Sequence, residues 1–240
     1  MRRIDKDKSK ILSTEYKKKV DKLDNAGKKH RSPSWEYCID VVMNLLHCQG
    51  GVCAYTEMRL CGPRLIEKEN WQEGRYKKTK SFVDECGNIL YKETKSRKIG
   101  KFGSLEHFDP RLKAQAFWDW DNLFVIHTDI NIDKNDADVD YILKPDLPGY
   151  DPFELLAYNK KTNCFVAHPD RSEDERKRIT KMISLLQLNH ETVHYEREEF
   201  LNEVQFKEKM KEPFKVDRFF TAYAMAMSRD KSIPRRGSEK

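Results

Sequence analysis

The apolar residues of this chain come in a few short, dense runs set between strongly charged stretches, and that arrangement decides what it can fold into. Val41-Val42-Met43-Asn44-Leu45-Leu46, Leu123-Phe124-Val125-Ile126 and Met182-Ile183-Ser184-Leu185-Leu186 are the clearest. Charged side chains make up 36% of the 240 residues and hydrophobic ones 38%, so a core has to be assembled from these runs. None approaches the roughly 20 apolar residues that span a bilayer, so no membrane partner is expected. The length suits one domain with a helical extension. The basic start carries no apolar stretch of the secretory kind, which points to the cytosol. There the six cysteines, at 38, 48, 53, 61, 86 and 164, are expected as buried thiols or metal ligands rather than disulfides.

Residues 1–31 are rich in Lys and Arg and read as a basic N-terminal arm, mobile or forming an exposed helix. Ser34 is placed to cap a helix over 35–47, with Trp35, Cys38, Ile39, Val42, Leu45 and Leu46 on one face and Gln49-Gly50-Gly51 as its stop. Val52-Cys53-Ala54-Tyr55 reads as a short strand or knuckle. Residues 62–103 read as an insertion, an exposed hairpin with basic and aromatic residues interleaved, turning at Cys86-Gly87-Asn88 and ending at Gly100-Lys101-Phe102-Gly103. Prolines 145, 148, 152 and 169 mark loops around a small hairpin, Phe153–Tyr158 turning through Asn159–Asn163 to Cys164-Phe165-Val166. Helices are expected over 172–187, 191–211 and 216–228, the last apolar on most faces and suited to packing or to an oligomer surface. The domain reading is therefore an arm at 1–31, a domain over 32–170 carrying the 62–103 insertion, and a helical region over 171–240.

The residues with most chemistry lie between 104 and 135. Glu106-His107 follows apolar Leu105 and precedes Phe108-Asp109-Pro110; Asn122 comes in Trp120-Asp121-Asn122-Leu123; Asn131 and Lys134 follow nine and twelve residues later. Phosphodiester hydrolysis needs a base near neutral pH, which imidazole provides. It needs a hard cation, which takes carboxylate and amide oxygens, and a positive side chain for the phosphate. Glu106, His107, Asn131 and Lys134 supply that set, and Asn122 is suited to locking the imidazole by bonding the backbone beside it. The net charge of +6 favours a polyanionic partner without requiring one.

Glu106-His107-Phe108-x-Pro110, Trp120-Asp121-Asn122-Leu123 and Asn131-x-x-Lys134 together resemble the HNH (ββα-metal) endonucleases, in particular the PtuB-like nucleases of the Septu and retron anti-phage systems. The likeness spans roughly residues 35–200 and takes in Leu186-Gln187-Leu188-Asn189 and Arg197. It implies an α+β fold with a ββα-metal HNH core in a mostly helical chain. It implies His107 as general base with Asn122 orienting it, Glu106 and Asn131 as ligands of Mg²⁺ or Mn²⁺, and Lys134 as a phosphate contact. The implied activity is endonuclease cleavage of nucleic acid, DNA first, leaving 5′-phosphates, in anti-phage defence or restriction.

The chain departs from that family at the zinc knuckles. Where relatives carry two Cys-x-x-Cys pairs, this sequence has Cys53, Thr56, His127 and Ile130, so no structural zinc is expected unless Cys48 or Cys61 replaces a ligand. Apolar packing around Tyr55, Ile126 and Ile130 is expected in its place. Three other readings stand beside the nuclease: a module that binds nucleic acid with little or no cleavage, a subunit whose C-terminal helices dock an ATPase partner, and a site-specific restriction enzyme reading bases with the 62–103 insertion.

Overall fold

The computed structural model describes residues 1–25, 37–77, 79–93, 103–113, 118–134 and 137–227, with the backbone alone for 79–83, 89–93 and 131–133. In chain order the elements are α1 (Thr14–Asn25), α2 (Cys38–Gln49), β1 (Trp71–Gln72), β2 (Arg75–Tyr76), β3 (Thr79–Val83), β4 (Ile89–Glu93), β5 (Ser104–His107), β6 (Leu123–Ile126), α3 (Thr128–Lys134), α4 (Pro152–Leu155), β7 (Leu156–Asn159), β8 (Cys164–Ala167), α5 (Glu173–Leu185), α6 (Glu191–Met210) and α7 (Phe220–Met227). The strands pair as four antiparallel hairpins, β1–β2, β3–β4, β5–β6 and β7–β8, so the fold is α+β. No helix among the described residues is long and apolar enough to cross a membrane.

Strand β6 is the wall between two cores. Its side chains alternate, as a strand requires: Leu123 and Val125 face a cluster with α1, α2 and Trp120, while Phe124 and Ile126 face one with Tyr55, Phe108 and the C-terminal helices. All four are fully buried, which is why the sequence runs apolar without alternation. Its outer edge is closed by a side chain. Gln49, the last residue of α2, donates Nε2–H to the carbonyl of Val125 (2.8 Å) and accepts from its N–H (2.9 Å), completing the backbone pairing that a third strand would give. Gly50 ends α2 in the left-handed conformation at φ 66°. Gly103, at φ 97°, leads into β5 with its Cα against the Ile126 carbonyl, where a side chain would collide.

The expected arm is instead part of the body over its described residues. Met1, Ile4 and Lys6 are buried, as are Tyr16 and Val20 of α1. Lys6 donates to the carbonyls of Trp120 (2.6 Å) and Leu123 (2.9 Å) and pairs with Asp146 (3.0 Å), while the Trp120 indole N–H returns a bond to the Lys6 carbonyl (2.6 Å). Burial outweighs Asp146 and brings the Lys6 ammonium down to about 8. These partners lie more than a hundred residues away, so local composition gave no sign of them.

The knuckle Cys53–Met58 closes with Cys53 N–H bonded to the Met58 carbonyl (2.8 Å) and is tied to β6 by Ala54 N–H and the Val125 carbonyl (3.1 Å). Glu57 on its turn, at φ 61°, is buried and gathers distant chain. Its carboxylate accepts from the N–H of Arg2 (2.5 Å) and from the N–H and hydroxyl of Thr221 (2.9 and 2.6 Å), with the Met1 amine at 3.4 Å. Burial raises its pKa, but the Met1 amine and the Thr221 and Arg2 bonds prevail and leave it lowered.

The first part of the 62–103 insertion packs on α2. Buried Asp40 accepts from Ser13 Oγ (2.9 Å), Tyr76 N–H (2.7 Å) and Arg75 Nε (2.9 Å). The β3–β4 hairpin turns at Cys86-Gly87-Asn88 around Asp84, whose carboxylate accepts from Asn88 N–H (2.7 Å). At the other end, Ser172 caps α5 with a full capping box to Glu175. The β7–β8 hairpin starts later than its sequence pattern implies, because Asp151 caps a helical turn over Pro152–Leu155 first. Asn189 then closes the edge of β8 as Gln49 closes β6, bonding both the N–H and the C=O of Phe165 (2.8 Å each). Buried Arg197 holds the turn through the carbonyls of Leu188 (2.8 Å) and Asn163 (2.7 Å). Ser34 and Trp35, Lys78, the Gly100-Lys101-Phe102 end of the insertion and the Pro234-Arg235-Arg236 tail lie outside the described residues.

Candidate functional site

The site is built on β5, β6 and α3, which follow one another as two antiparallel strands and a helix. Register pairs Glu106 with Phe124 and His107 with Leu123. Glu106 and His107 are both buried, at 5% and 7% exposed. Neighbours on one strand point to opposite faces, and Glu106 is met by Lys134, the last residue of α3. Lys134 Nζ stands 2.5 Å from Glu106 Oε1 and donates to the His107 carbonyl at 3.0 Å. The helix therefore ends against the strand that carries the acid and the histidine.

Asn122 comes in from the turn before β6 and holds the chain just past His107. Its Oδ1 accepts from Asp109 N–H (2.8 Å), its Nδ2 donates to the Asp109 carbonyl (2.9 Å), and its own carbonyl accepts from Phe108 N–H (2.8 Å). Asp109 is fixed in turn by Arg111 Nε and Nη2 (2.9 and 2.8 Å) and by the Tyr141 hydroxyl (2.9 Å), which together hold its carboxyl below the usual range. Lys6 and Lys144 secure the same turn from behind. Lys144 donates to the Asp121 carbonyl (2.8 Å) and, with Lys6, shares Asp146. All carbonyls around Asn122 that these residues reach are thus held by buried ammonium groups.

One expectation changes on this geometry. Lys134, read as a phosphate contact, is only 1% exposed and turned inward onto Glu106. Its stem packs where a surface lysine would be solvated, and its charge is matched inside the protein. Asn131 belongs to α3 three residues before Lys134, and its side chain lies outside the described residues.

Glu106 is a buried carboxylate whose charge is met by one close cation, Lys134. Oε1 is buried and makes no aligned hydrogen bond despite the close ammonium. Burial raises the pKa of the carboxyl, and Lys134 offsets that only in part. A carboxylate oxygen is a ligand that hard cations take, and here the Lys134 ammonium stands against it. Close by, the Tyr55 hydroxyl is likewise buried without a hydrogen bond, and burial and then the Glu106 charge push its pKa up. Among the described residues no three or more His, Cys, Asp or Glu side chains gather at metal-binding spacing. At the knuckle positions Cys53, Thr56 and Ile130 are buried, and His127 faces Asp129 (3.6 Å) in a crevice shared with Met58 and His190. A groove of about 420 Å³ between β8 and α5 contains none of the candidate residues.

Sequence reasoning passed over Lys6, Lys144 and Tyr141, whose partners are backbone carbonyls and the carboxylates of Asp146 and Asp109. Asp109 did have a local sign, an acid directly before Pro110 at the start of a helical turn. No family model matches the chain, and no curated protein is significantly similar to it.

Proposed function

We propose that this chain is a metal-dependent endonuclease of the HNH (ββα-metal) type, acting on nucleic acid and first of all on DNA. One observation carries the reading: Asn122 clamps both backbone groups of Asp109, immediately beyond Glu106-His107, in a hairpin followed at once by a helix that returns to Glu106. His107 is the general base, taking the proton from the attacking water. Asn122 positions it by fixing the turn that leaves β5. Glu106, with Asn131, would hold Mg²⁺ or Mn²⁺, which when bound supplies charge neutralisation at the phosphoryl and leaving oxygens. Lys134 is the internal counter-ion of Glu106, and a divalent cation competes with it for that carboxylate. The products carry 5′-phosphates. A defence or restriction role follows from the resemblance to anti-phage nucleases.

The buried state of Glu106 and His107 favours a second reading, a chain that binds nucleic acid but stays silent until a partner, such as an ATPase subunit, opens the site. Plasmid DNA and RNA are incubated with the full chain and with His107→Ala, with Mg²⁺, Mn²⁺ or EDTA. Metal-dependent nicking lost in the variant is expected. Full activity in His107→Ala overturns the assignment, and binding without nicking under any cation supports the second reading.

A further inference from the structure

Tyr55 stands on the same face of the β5–β6 hairpin as Glu106. Its knuckle is anchored to β6 by the bond from Ala54 N–H to the Val125 carbonyl (3.1 Å). Its ring lies 6.0 Å from that of Phe124 and 6.3 Å from that of Phe108, centroid to centroid. Phe124 is the residue directly across the hairpin from Glu106, and paired residues of antiparallel strands put their side chains on one face. Lys134 Nζ, which meets Glu106, lies 6.0 Å from the Phe108 ring. Tyr55 and Lys134 thus pack around the same aromatic pair beside one carboxylate.

The ring of Tyr55 is enough for that packing, and a phenylalanine would supply it. The hydroxyl is extra. The residue is fully buried, and its oxygen has no hydrogen-bond partner. A buried hydroxyl left unpaired is costly, so its presence calls for an arrangement in which it is used. After burial itself, the charge that acts on it most is that of Glu106, ahead of Cys53 and Asp146.

Charge decides when the hydroxyl is needed. Lys134 meets Glu106 at 2.5 Å and also reaches the His107 carbonyl at 3.0 Å, so it keeps an acceptor if it gives up the carboxylate. A divalent cation on Glu106 repels the ammonium. It does not repel a neutral phenol, and a carboxylate that ligates a metal is ordinarily held by a further donor.

We propose that Tyr55 is a positioning residue of this site, its hydroxyl donating to the Glu106 carboxylate once a divalent cation takes the place of the Lys134 ammonium. This rests on the nuclease reading, in which Glu106 is a metal ligand.

The full chain and its Tyr55→Phe variant are compared by urea unfolding in EDTA and by Mn²⁺ titration followed by electron paramagnetic resonance, with Glu106→Gln as control. Near-ultraviolet tyrosine absorption is followed as Mg²⁺ is added. In EDTA Tyr55→Phe is expected to be at least as stable as wild type, because the hydroxyl it removes is not bonded there. Its Mn²⁺ affinity is expected to fall about tenfold, as loss of one charge-assisted hydrogen bond does. Mg²⁺ is expected to shift the tyrosine band in wild type and not in the variant. A Tyr55→Phe chain that binds Mn²⁺ as wild type does, keeps the Mg²⁺-induced shift, or is less stable in EDTA overturns the proposal and leaves Glu106 as a ligand. A wild type that binds no Mn²⁺, or whose binding is unchanged by Glu106→Gln, overturns both.

Discussion

The side-chain amide of Asn122 pairs with both backbone groups of Asp109, at 2.8 and 2.9 Å, so a residue thirteen positions away sets the course of the chain as it leaves His107. Asn122→Ala removes both bonds, leaving the buried Asp109 N–H unpaired at about 1–3 kcal/mol and the Asp109 carbonyl with only the Leu112 N–H at 3.2 Å. The variant is expected to lose stability in urea unfolding and to lose cleavage even at temperatures where it stays folded. Cleavage at the wild-type rate would remove Asn122 from the site.

Glu106 and Lys134 form a buried ion pair at 2.5 Å. Removing one partner strands the other, so Lys134→Met is expected to cost about 3–5 kcal/mol. The double variant Glu106→Gln with Lys134→Met is expected to recover most of that loss, since no charge is left buried. A double-mutant cycle in urea reads the coupling, and additive losses would mean the pair is not formed. Because burial raises the Glu106 pKa, ionising it costs stability. Its favourable contribution is present below pH 4.5 and is lost as pH rises through the folded value, a loss that extends to higher pH in Lys134→Met.

Asp109 behaves in the opposite sense. Arg111 and then Tyr141 hold its pKa below 3.8, so its contribution is present above that pH and is lost as pH falls through the folded value. Tyr141→Phe keeps the ring on Phe108 but removes one bond, and is expected to cost about 1 kcal/mol at neutral pH. The difference from wild type should shrink in acid unfolding curves. A constant difference down to pH 2.5 would assign the effect to packing instead.

Lys6 is expected to be as important to folding as any core residue. Lys6→Ala removes one donor from each of three acceptors, the Trp120 and Leu123 carbonyls and Asp146, which keeps Lys144, and should cost about 1–3 kcal/mol. Deletion of residues 1–7 is expected to leave a chain without a cooperative thermal transition. A truncated protein that melts as the full chain does would restore the reading of this segment as an arm.

Much of the scaffold was legible because its signals are local. Cys38, Val42, Leu45 and Leu46 recur at helical spacing and are buried in α2, although Asp40, Val41, Met43 and Asn44 on its other sides are buried too; Ser172 and Glu175 announce the start of α5. The small hairpin was legible except at its first residues, where the Asp151 cap and Pro152 outcompete strand propensity for four residues. The candidate site was legible as a set of residues but not as an arrangement. That Lys134 turns inward depends on Glu106 needing a counter-ion, and that Lys6 reaches Leu123 depends on tertiary placement, neither of which has a period or spacing to read.

Glu57 binds Arg2 and Thr221 with the same carboxylate. The knuckle, the segment around Met1 and the start of α7 are then one cooperative unit, held where no metal-ligand cage of the described residues gathers them. In native-state hydrogen exchange the amides of Arg2, Cys53 and Thr221 should open together, with one common free energy and one common denaturant slope, although they are separated by most of the chain.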